Sequence, residues 1–296
     1  MRIAHLILTH KNPAQLDRLL RALDHPGFDF YIHLDGKTDA APFQYLAERK
    51  NAADRKNVAD RNNVFFIRNR AKVYWAGFGT IQATFNGFRE IMPIGGYDYI
   101  NVISGQDFPL KSAEAIYRYF EQRPGKEFIT CQSIDGEWHW AAPRVRTYSL
   151  INWRIPGKFR LEKLVNRLLP ARKFPFDHKI VGRANWFTLT PAAIAYAMDF
   201  IDRHPELVRY YKYCWGADEF IFSTILYNSP FRDRITDNVV YVDWTGQTEG
   251  HPRILQAGDL PALQATDKLF GRKFDMDVDA AIFTLLEEWI AANRNI

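Results

Sequence analysis

Arg2-Ile-Ala-His-Leu-Ile-Leu-Thr-His10 is the stretch that decides the fold. Its near-continuous apolar run is typical of a strand that is buried on both faces. A helix with a leucine stripe and a second strand-like run, Phe30–Asp35, follow it and complete a βαβ unit. The stripe consists of Leu16, Leu19, Leu20 and Leu23. Because α/β sheets usually bind nucleotides at the ends of their strands, His10 and Asp35 are predicted nucleotide contacts.

Strands and helices continue to alternate along the rest of the chain. Apolar runs of strand length occur at Val64–Ile67, Tyr97–Ser104, Asn185–Leu189 and Val239–Trp244. Helical patterns are Thr80–Met92, a segment with Ser112 as its N-cap, Pro191–Arg203 and Asp279–Asn293. This alternation predicts an α/β fold with one mixed, mostly parallel sheet and helices on both faces. A near-duplication, 53–58 repeated as 59–64, is interpreted as an expanded surface segment.

Composition narrows the class of protein. With 296 residues, 47% of them hydrophobic and 25% charged, the chain has the profile of a soluble globular protein. Its formal net charge of +5 favours anionic partners such as nucleotide diphosphates or lipid head groups. Nucleic acid is discounted because no recognisable nucleic-acid-binding motif accompanies the charge. The two widely separated cysteines, and an N-terminus that enters a strand without a signal peptide, predict a cytoplasmic protein.

Three segments each have more than one interpretation. Asp107 follows a predicted strand, where α/β enzymes place ligand-binding groups, but an Asp can equally satisfy its own backbone in a turn. The two glycines of Val73–Gly79 allow close approach of a ligand or form a tight packing turn. Residues 144–183 combine many Arg and Lys residues with aromatic ones. This basic segment is by default a solvated surface, and it could also lie on an anionic membrane or shape a cleft.

The segment Tyr213-Cys-Trp-Gly-Ala-Asp-Glu-Phe220 places two carboxylates beside aromatic rings. Gly216 breaks any preceding structure, and the apolar residues beyond it recur at helical spacing. Asp218 and Glu219 are therefore predicted in the first turn of a helix. Acids at this position can simply complement the helix dipole. Alternatively, one of them is a general base in a cleft.

Five short motifs occur in the order found in one enzyme family. They are Arg18–Ala22, Ile32–Asp35, Ser104–Pro109, Trp215–Phe220 and Leu269–Asp275. In these motifs, which span nearly the whole chain, the protein resembles the Core-2/I-branching β-1,6-N-acetylglucosaminyltransferases, glycosyltransferase family 14, which also includes peptide xylosyltransferases. The resemblance implies a GT-A-like fold, a UDP-sugar donor and inversion at the anomeric carbon without a divalent metal. Because the cysteine framework, membrane anchor and stem of the secreted members are missing, a bacterial, cytoplasmic member is expected.

The resemblance also assigns roles to single residues. Glu219 matches the family's catalytic base, Lys273 matches a lysine that contacts the donor diphosphate, and Arg253 approximately matches its arginine partner. Asp35 matches an acid near the uridine, and Trp244 falls where the branching enzymes place an acceptor-side tryptophan.

The predicted site therefore has four parts within a single domain, 1–296. Its nucleotide-binding half is 1–110, and its acceptor-side and catalytic half is 111–296. The site residues are Glu219 as the catalytic base, Arg253 and Lys273 for the donor diphosphate, His10, Asp35 and Asp107 for the donor nucleotide, and Trp244 and Arg144 for the acceptor. No metal site is predicted, since the D-x-D patterns of Asp275-Met-Asp-Val-Asp279 precede the terminal helix, where Asp residues are good caps.

The chemistry of a single displacement fits these assignments. A carboxylate must take the proton of the attacking hydroxyl, and positive charge must stabilise the departing diphosphate. Arg253 and Lys273 can supply the charge that a metal usually provides. A helix N-terminus would favour ionised Glu219, whereas Trp215 and Phe220 would favour its neutral form by desolvation.

The sequence thus predicts an inverting, metal-independent glycosyltransferase that needs no cofactor. It would transfer a sugar, GlcNAc by family analogy, from a UDP donor to a saccharide acceptor. One alternative is transfer from UDP-xylose or another UDP-hexose, and another is a non-catalytic module that binds glycans or nucleotides. A lipid-linked acceptor and peripheral contact with an anionic membrane, at the inner face of the cell membrane, are both compatible with the leading hypothesis.

Overall fold

The computed structural model describes residues 1–47, 63–247 and 250–293. Within them, the strands are β1 (Ile3–Thr9), β2 (Phe28–Leu34), β3 (Val64–Phe66), β4 (Tyr99–Ser104), β5 (Asp107–Pro109), β6 (Glu127–Phe128), β7 (Gln132–Ser133), β8 (Val181–Gly182), β9 (Phe187–Leu189), β10 (Ile235–Thr236), β11 (Val240–Val242) and β12 (Phe270–Arg272). The helices are α1 (Pro13–Ala22), α2 (Gly79–Ile91), α3 (Ala113–Glu121), α4 (Ala142–Arg146), α5 (Lys158–Leu168), α6 (Pro191–Arg203), α7 (Pro205–Tyr211), α8 (Ile221–Tyr227), α9 (Leu260–Ala265) and α10 (Ala281–Ala292). Apart from its last two residues, the near-duplication at 53–64 lies outside the described residues.

One compact unit is built from Met1–Arg68, Gly95–Gly125 and Val239–Ile296. Its main sheet has the strand order β4-β1-β2-β3, and all three neighbouring pairs are parallel. This is the order of the nucleotide-binding half of doubly wound α/β proteins. Every residue of β1, β2 and β4 is buried, which explains why their sequences are near-continuous apolar runs.

Helix α1 connects β1 to β2, and its start and its buried side follow from nearby residues in the sequence. Asn12 caps it by accepting a hydrogen bond from the Gln15 amide at 2.9 Å, and Pro13 occupies the first turn. The predicted leucine stripe is buried in full, with Leu16, Leu19, Leu20 and Leu23 all at most 1% exposed. The predicted βαβ opening is therefore confirmed.

A small sheet in the same unit was not predicted from the sequence. Strand β12 pairs in parallel with β11 and antiparallel with β5, and Arg272 lies opposite Asp107. Asp107 therefore belongs to a strand and not merely to the turn after β4. This sheet joins the end of the chain to the region that follows β4.

The other compact unit consists of Asn69–Ile94 and Lys126–Asn238. Strand β6 pairs in parallel with β10 and antiparallel with β9, while β7 and β8 form an antiparallel pair. Helix α6 begins at Pro191 as predicted, with Thr190 as its side-chain N-cap. Aromatic side chains contact one another in the core of this unit, namely Phe85, Phe88, Phe187 and Phe222.

The predicted α/β class with a mostly parallel mixed sheet is confirmed, and most predicted elements differ from the observed ones by only a few residues at their ends. The division of the chain at residue 110 into two functional halves stays a prediction. Among the helices of the described residues, none combines the length and apolar character needed to cross a membrane.

Candidate active site

Glu219 lies in a short 3₁₀ turn, Ala217–Glu219, that comes just before α8. The prediction that Asp218 and Glu219 occupy the first turn of the helix itself is wrong. Phe220 separates the 3₁₀ turn from α8, which begins at Ile221. Gly216 starts the turn with a φ of +61°, a left-handed conformation that glycine adopts without steric cost.

Arg144 holds the Glu219 carboxylate. The Glu219 side chain is 27% exposed, and Nη1 of Arg144 donates a hydrogen bond to its Oε2 at 3.0 Å. Arg144 comes from α4 and also donates to the carbonyl oxygens of Trp215 and Gly216, both at 3.3 Å. Its guanidinium lies over the Trp215 ring, 4.5 Å from the centroid. Arg144 is thus engaged with the segment that carries Glu219, and its predicted contact with the acceptor stays a prediction.

The protonation of Glu219 is controlled by opposing effects. Burial raises the pKa of the Glu219 carboxyl above its ordinary value, Arg144 partly counteracts that increase, and the nearby Asp218 adds to it. The sequence did not show which of two effects on the pKa of Glu219 is larger. A helix N-terminus would favour the ionised carboxylate, and desolvation would favour the neutral form. Desolvation is the larger effect, and the counter-charge comes from an arginine. A carboxylate whose pKa is raised in this way is a stronger proton acceptor, as a general base requires.

The backbone around Glu219 is fixed as firmly as its side chain. The Arg183 amide donates to the Glu219 carbonyl at 3.1 Å, and a Cβ added at Gly182 would overlap that carbonyl oxygen. Strand β8 therefore approaches the turn so closely that only glycine fits. The next residue, Phe220, stacks on Trp138 with ring centroids 4.6 Å apart. These contacts fix the orientation of the carboxylate.

Asp218 has a different environment from its neighbour Glu219. Its Oδ2 accepts a hydrogen bond at 2.8 Å from Nδ2 of Asn185, in the segment before β9. This contact links the turn to that segment. Asn185 thus contacts Asp218, while Arg144 pairs with Glu219.

His10 and Asp35 follow the parallel strands β1 and β2 directly, as predicted. Asp35 is only 3% exposed; it accepts from the Lys37 amide at 2.9 Å and pairs with the Lys37 ammonium at 3.3 Å. Desolvation, followed by the charges of Lys11 and Lys273, lowers the pKa of His10. The imidazole is therefore biased towards its neutral form, which can both donate and accept hydrogen bonds. Nucleotide binding by these two residues stays a prediction.

Asp107 is completely buried and its oxygens already have partners. Its carboxylate accepts hydrogen bonds from the Ser104 amide and hydroxyl, at 2.8 and 3.0 Å, and from Nη1 of Arg272 at 2.7 Å. The first two contacts match the expectation that this Asp satisfies a turn. Direct contact with a nucleotide stays a prediction, and it would require Arg272 to move. In this structure, Asp107 positions Arg272, which the sequence did not single out although it precedes Lys273.

Lys273 follows β12 and is partly buried. Desolvation lowers the pKa of its ammonium group and the neighbouring cations Arg272 and Lys11 lower it further, while Asp275 and Asp107 partly counteract them. Within the described residues, no carboxylate lies within 4 Å of this ammonium group. The Lys273 carbonyl accepts a hydrogen bond from the Leu255 amide at 2.8 Å, which brings the segment after Arg253 alongside. A cation in such surroundings favours binding of an anion.

Arg253 is held between two carboxylates. Its guanidinium donates to Asp243 at 2.5 and 3.0 Å and to Asp259 at 2.6 and 2.9 Å. The Thr245 amide, and then Arg253, lower the pKa of Asp243 to about 2. Arg253 would have to release part of this pairing to grip a diphosphate, so its predicted role stays a prediction. The acids flanking it in sequence were the signal that could have indicated this arrangement.

Trp244 directly follows the Arg253 partner Asp243 and is 47% exposed. Its carbonyl accepts a hydrogen bond from the Gln247 amide at 3.1 Å, which fixes the turn after β11. The exposed indole is available to contact a ligand. Its predicted role as an acceptor contact stays a prediction.

The acidic residues before α10 make structural contacts within the protein, as the sequence suggested. Asp279 accepts from the Ala281 and Ile282 amides at the start of α10 and from the Ala257 amide. Asp275 instead pairs with Lys11 at 2.6 Å. In the part of the chain that the structure describes, no group of three or more His, Cys, Asp or Glu side chains could hold a metal ion. Metal independence of the reaction stays a prediction.

Comparisons with known proteins identify the family. The profile of the Core-2/I-Branching enzyme family matches residues 3–267. Xylosyltransferase oxt of Drosophila melanogaster is 23% identical over 98% of this chain and 33% of that protein, and Xylosyltransferase 2 of Homo sapiens is 24% identical over 97% of this chain and 33% of that protein. The chain thus spans about a third of the length of these relatives.

A solved structure of galactosyltransferase LgtC with donor and acceptor sugar analogs aligns over 98% of this chain and 96% of its own, with a TM-score of 0.44 and 9% identity. The family match covers most of the chain and includes four of the five motifs, whereas the fifth, Leu269–Asp275, lies beyond its end. The chain belongs to the Core-2/I-Branching enzyme family of glycosyltransferases.

Proposed function

We propose that this protein transfers a sugar from a UDP donor to a hydroxyl group of a saccharide acceptor, with inversion and without a metal ion, using Glu219 as the general base. The observation that carries the proposal is the Glu219 carboxylate itself. It is largely buried, its pKa is raised, and Arg144 holds it at 3.0 Å. A binding module needs no proton acceptor with these properties, which favours catalysis over a non-catalytic role.

In the proposed step, the acceptor oxygen forms a bond to the anomeric carbon while the bond from that carbon to the diphosphate oxygen breaks. The proton of the hydroxyl group passes to Glu219. A single displacement of this kind inverts the configuration at the anomeric carbon. Arg144 acts on the carboxylate and keeps it oriented and partly ionised.

Lys273 is the better supported of the two predicted diphosphate ligands. Its ammonium group is desolvated and, among the described residues, has no carboxylate within 4 Å, so a diphosphate would supply the negative charge that it lacks. Arg253 is already neutralised by two carboxylates, so it would contribute only after partial release. We therefore assign the larger share of leaving-group stabilisation to Lys273.

The donor sugar has two candidates. Family analogy favours GlcNAc, whereas the relatives at 23% and 24% identity are xylosyltransferases, which favours xylose as the second candidate. Measuring UDP release from UDP-GlcNAc, UDP-xylose and other UDP-hexoses with a panel of saccharide acceptors would decide between them. Linkage analysis of the product would identify the bond formed. A lipid-linked acceptor would bring the enzyme to the inner face of a membrane.

The decisive variant is Glu219→Gln, which keeps the shape of the side chain but cannot accept the proton. We expect kcat to fall by roughly 10²- to 10⁴-fold. Glu206→Gln, in an exposed position at the start of α7, is the matched control and should retain full activity. Wild-type turnover should also persist in EDTA. Full activity of Glu219→Gln would refute the proposed base, and a strict requirement for manganese would refute the metal-free mechanism.

A further inference from the structure

Helix α5 is attached to the protein by one polar face. No residue of α5 is buried. Glu162 accepts a hydrogen bond from the Leu150 amide at 2.7 Å, and Asn166 accepts from the Tyr148 amide and donates to the Tyr148 carbonyl, both at 2.7 Å. Residues four apart lie on the same side of a helix, so Glu162 and Asn166 define the side that faces the protein.

The apolar side of α5 points away from this attachment. Leu164 is two positions from both Glu162 and Asn166, and at about 100° per residue it projects from the opposite side of the helix. Leu161 and Leu168 share its stripe, at spacings of three and four residues. The three leucines are 36%, 51% and 71% exposed, in chain order. A surface helix normally turns such a stripe towards the core, so the reversed orientation points to a partner.

Positive charge borders the leucine stripe. Arg160, Lys163 and Arg167 are exposed on α5 beside it. Within the described residues, none of the three pairs with a carboxylate. Glu162 is the single acid in the α5 sequence, and it lies on the attached side. The outward surface of α5 therefore combines leucines with cations and presents no acid of its own.

We propose that this α5 surface, defined as Leu161, Leu164 and Leu168 with Arg160, Lys163 and Arg167, docks the protein on an anionic lipid bilayer. The leucines would enter the boundary between head groups and acyl chains, while the cations contact lipid phosphates. Trp153 and Ile155, which precede α5, and Phe159 in its first turn are also exposed apolar residues. A second copy of this chain fits less well, because pairing two α5 surfaces would bring six cations together without an acid from either helix.

Vesicle sedimentation tests the proposal without any sugar donor, so it is independent of the proposed reaction. The full chain should pellet at low salt with vesicles of phosphatidylcholine and phosphatidylglycerol, and bind much more weakly to phosphatidylcholine alone. Each cation near an anionic surface strengthens binding roughly fivefold, so Arg160→Gln/Lys163→Gln/Arg167→Gln should weaken it on the order of 100-fold. Leu161→Ser/Leu164→Ser/Leu168→Ser should also release the protein from the vesicles.

Matched controls change the same chemistry elsewhere on the surface. Arg203→Gln/Arg209→Gln/Arg232→Gln removes three exposed cations, and Ile94→Ser/Val278→Ser removes two apolar side chains that are 56% and 52% exposed. Both should weaken vesicle binding by less than about threefold, since they leave α5 intact. Equal losses in the controls and in the α5 variants would overturn the proposal, as would failure of the wild-type protein to bind anionic vesicles at low salt.

A second measurement separates the bilayer from a protein partner. An environment-sensitive fluorophore on Leu164→Cys should shift to shorter wavelength when anionic vesicles are added, whereas the same label on Val278→Cys should not. Sedimentation velocity without lipid should give a monomer. A concentration-dependent dimer that the leucine substitutions abolish would show that the α5 surface binds a second copy, and would overturn the bilayer assignment.

Discussion

Replacing Arg144 with methionine should leave Glu219 without its counter-ion while keeping the carboxylate in place. Methionine retains much of the contact with the Trp215 and Phe220 rings but lacks the guanidinium nitrogen at 3.0 Å from Oε2. At an effective dielectric constant of about 20, unit charges at this separation attract by about 5.5 kcal/mol. Because burial already raises the pKa of Glu219, loss of this attraction should raise it further.

The expected result is a shifted pH–rate profile. A general base acts only when ionised, so kcat/KM should rise with pH as Glu219 loses its proton, and this rise should occur at higher pH in Arg144→Met. At pH 7 we expect a loss of roughly 10²-fold, the lower end of what a general base contributes, with recovery as the pH increases. Initial rates of UDP release over about pH 5 to 9 measure the profile.

Arg144→Met should also lower the free energy of unfolding, and the size of this loss should depend on pH. The folded-state pKa of Glu219 lies above its ordinary value, so its contribution to stability is present at low pH and is lost as pH rises through the folded-state pKa. Removing the partner of a buried charge typically costs about 3–5 kcal/mol, which corresponds to a fall in Tm of roughly 6–10 °C. This fall should be smaller at lower pH, because protonated Glu219 needs no counter-ion.

Arg146→Met is the matched control in the same helix. Arg146 pairs with Asp135 at the surface, where both side chains are more than half exposed, and such pairs contribute about 0–1 kcal/mol. Its profile and Tm should therefore stay close to those of the wild type. If Arg144→Met left the pH profile unmoved and only raised the KM of the acceptor, the tuning of Glu219 would be refuted and Arg144 would be an acceptor contact.

Two further predictions concern the surroundings of the charged groups. Gly216→Ala should lower kcat at least about tenfold, because a Cβ at this left-handed position overlaps Nη2 of Arg144. The control Gly157→Ala has a similar positive φ but lies in open space, so it should cost only about 1–2 kcal/mol of stability. Equal activity of the two variants would contradict the clash with Arg144. Asp243, whose pKa is about 2, should stabilise the fold above about pH 4 and lose this effect as pH falls towards 2. Urea unfolding near pH 5 and near pH 3 should show a smaller acid-induced loss in Asp243→Asn than in the wild type, and an identical loss would contradict the lowered pKa of Asp243.

Elements governed by short-range signals were predictable from the sequence. The buried strands β1, β2 and β4 follow from uninterrupted apolar runs, because a strand covered on both faces has no polar side. The starts of α3 and α6 follow from a capping side chain placed three residues before the amide that it accepts from. In each case, residues within one or two turns of the chain determine the local structure.

Contacts between distant residues explain what the sequence did not predict. Strand β5 is too short to be recognised alone and exists because β12, about 160 residues later, pairs with it. Arg144 and Glu219 are separated by 75 residues, so no spacing rule connects them. The Arg253 pairing is different, since Asp243 and Asp259 lie close to it in sequence. For Arg253, the family resemblance predicted a contact with the donor diphosphate, whereas the neighbouring acids Asp243 and Asp259 bind it in the structure.

The proposed reaction depends on the Glu219 carboxylate and the Lys273 ammonium group. Desolvation destabilises the ionised form of both groups. Burial raises the pKa of Glu219 and lowers that of Lys273, so each environment disfavours the ionised form of its own residue. Sugar transfer would relieve both penalties, because Glu219 becomes neutral on taking the proton and the departing diphosphate gains a negative charge that an ammonium group can bind. Negative charge thus passes from the Glu219 carboxylate, whose surroundings disfavour it, to a phosphate oxygen that Lys273 can stabilise. It follows that the surroundings of these residues, and not their identities alone, favour transfer, which is why substitutions such as Arg144→Met that leave Glu219 and Lys273 intact should still change the rate.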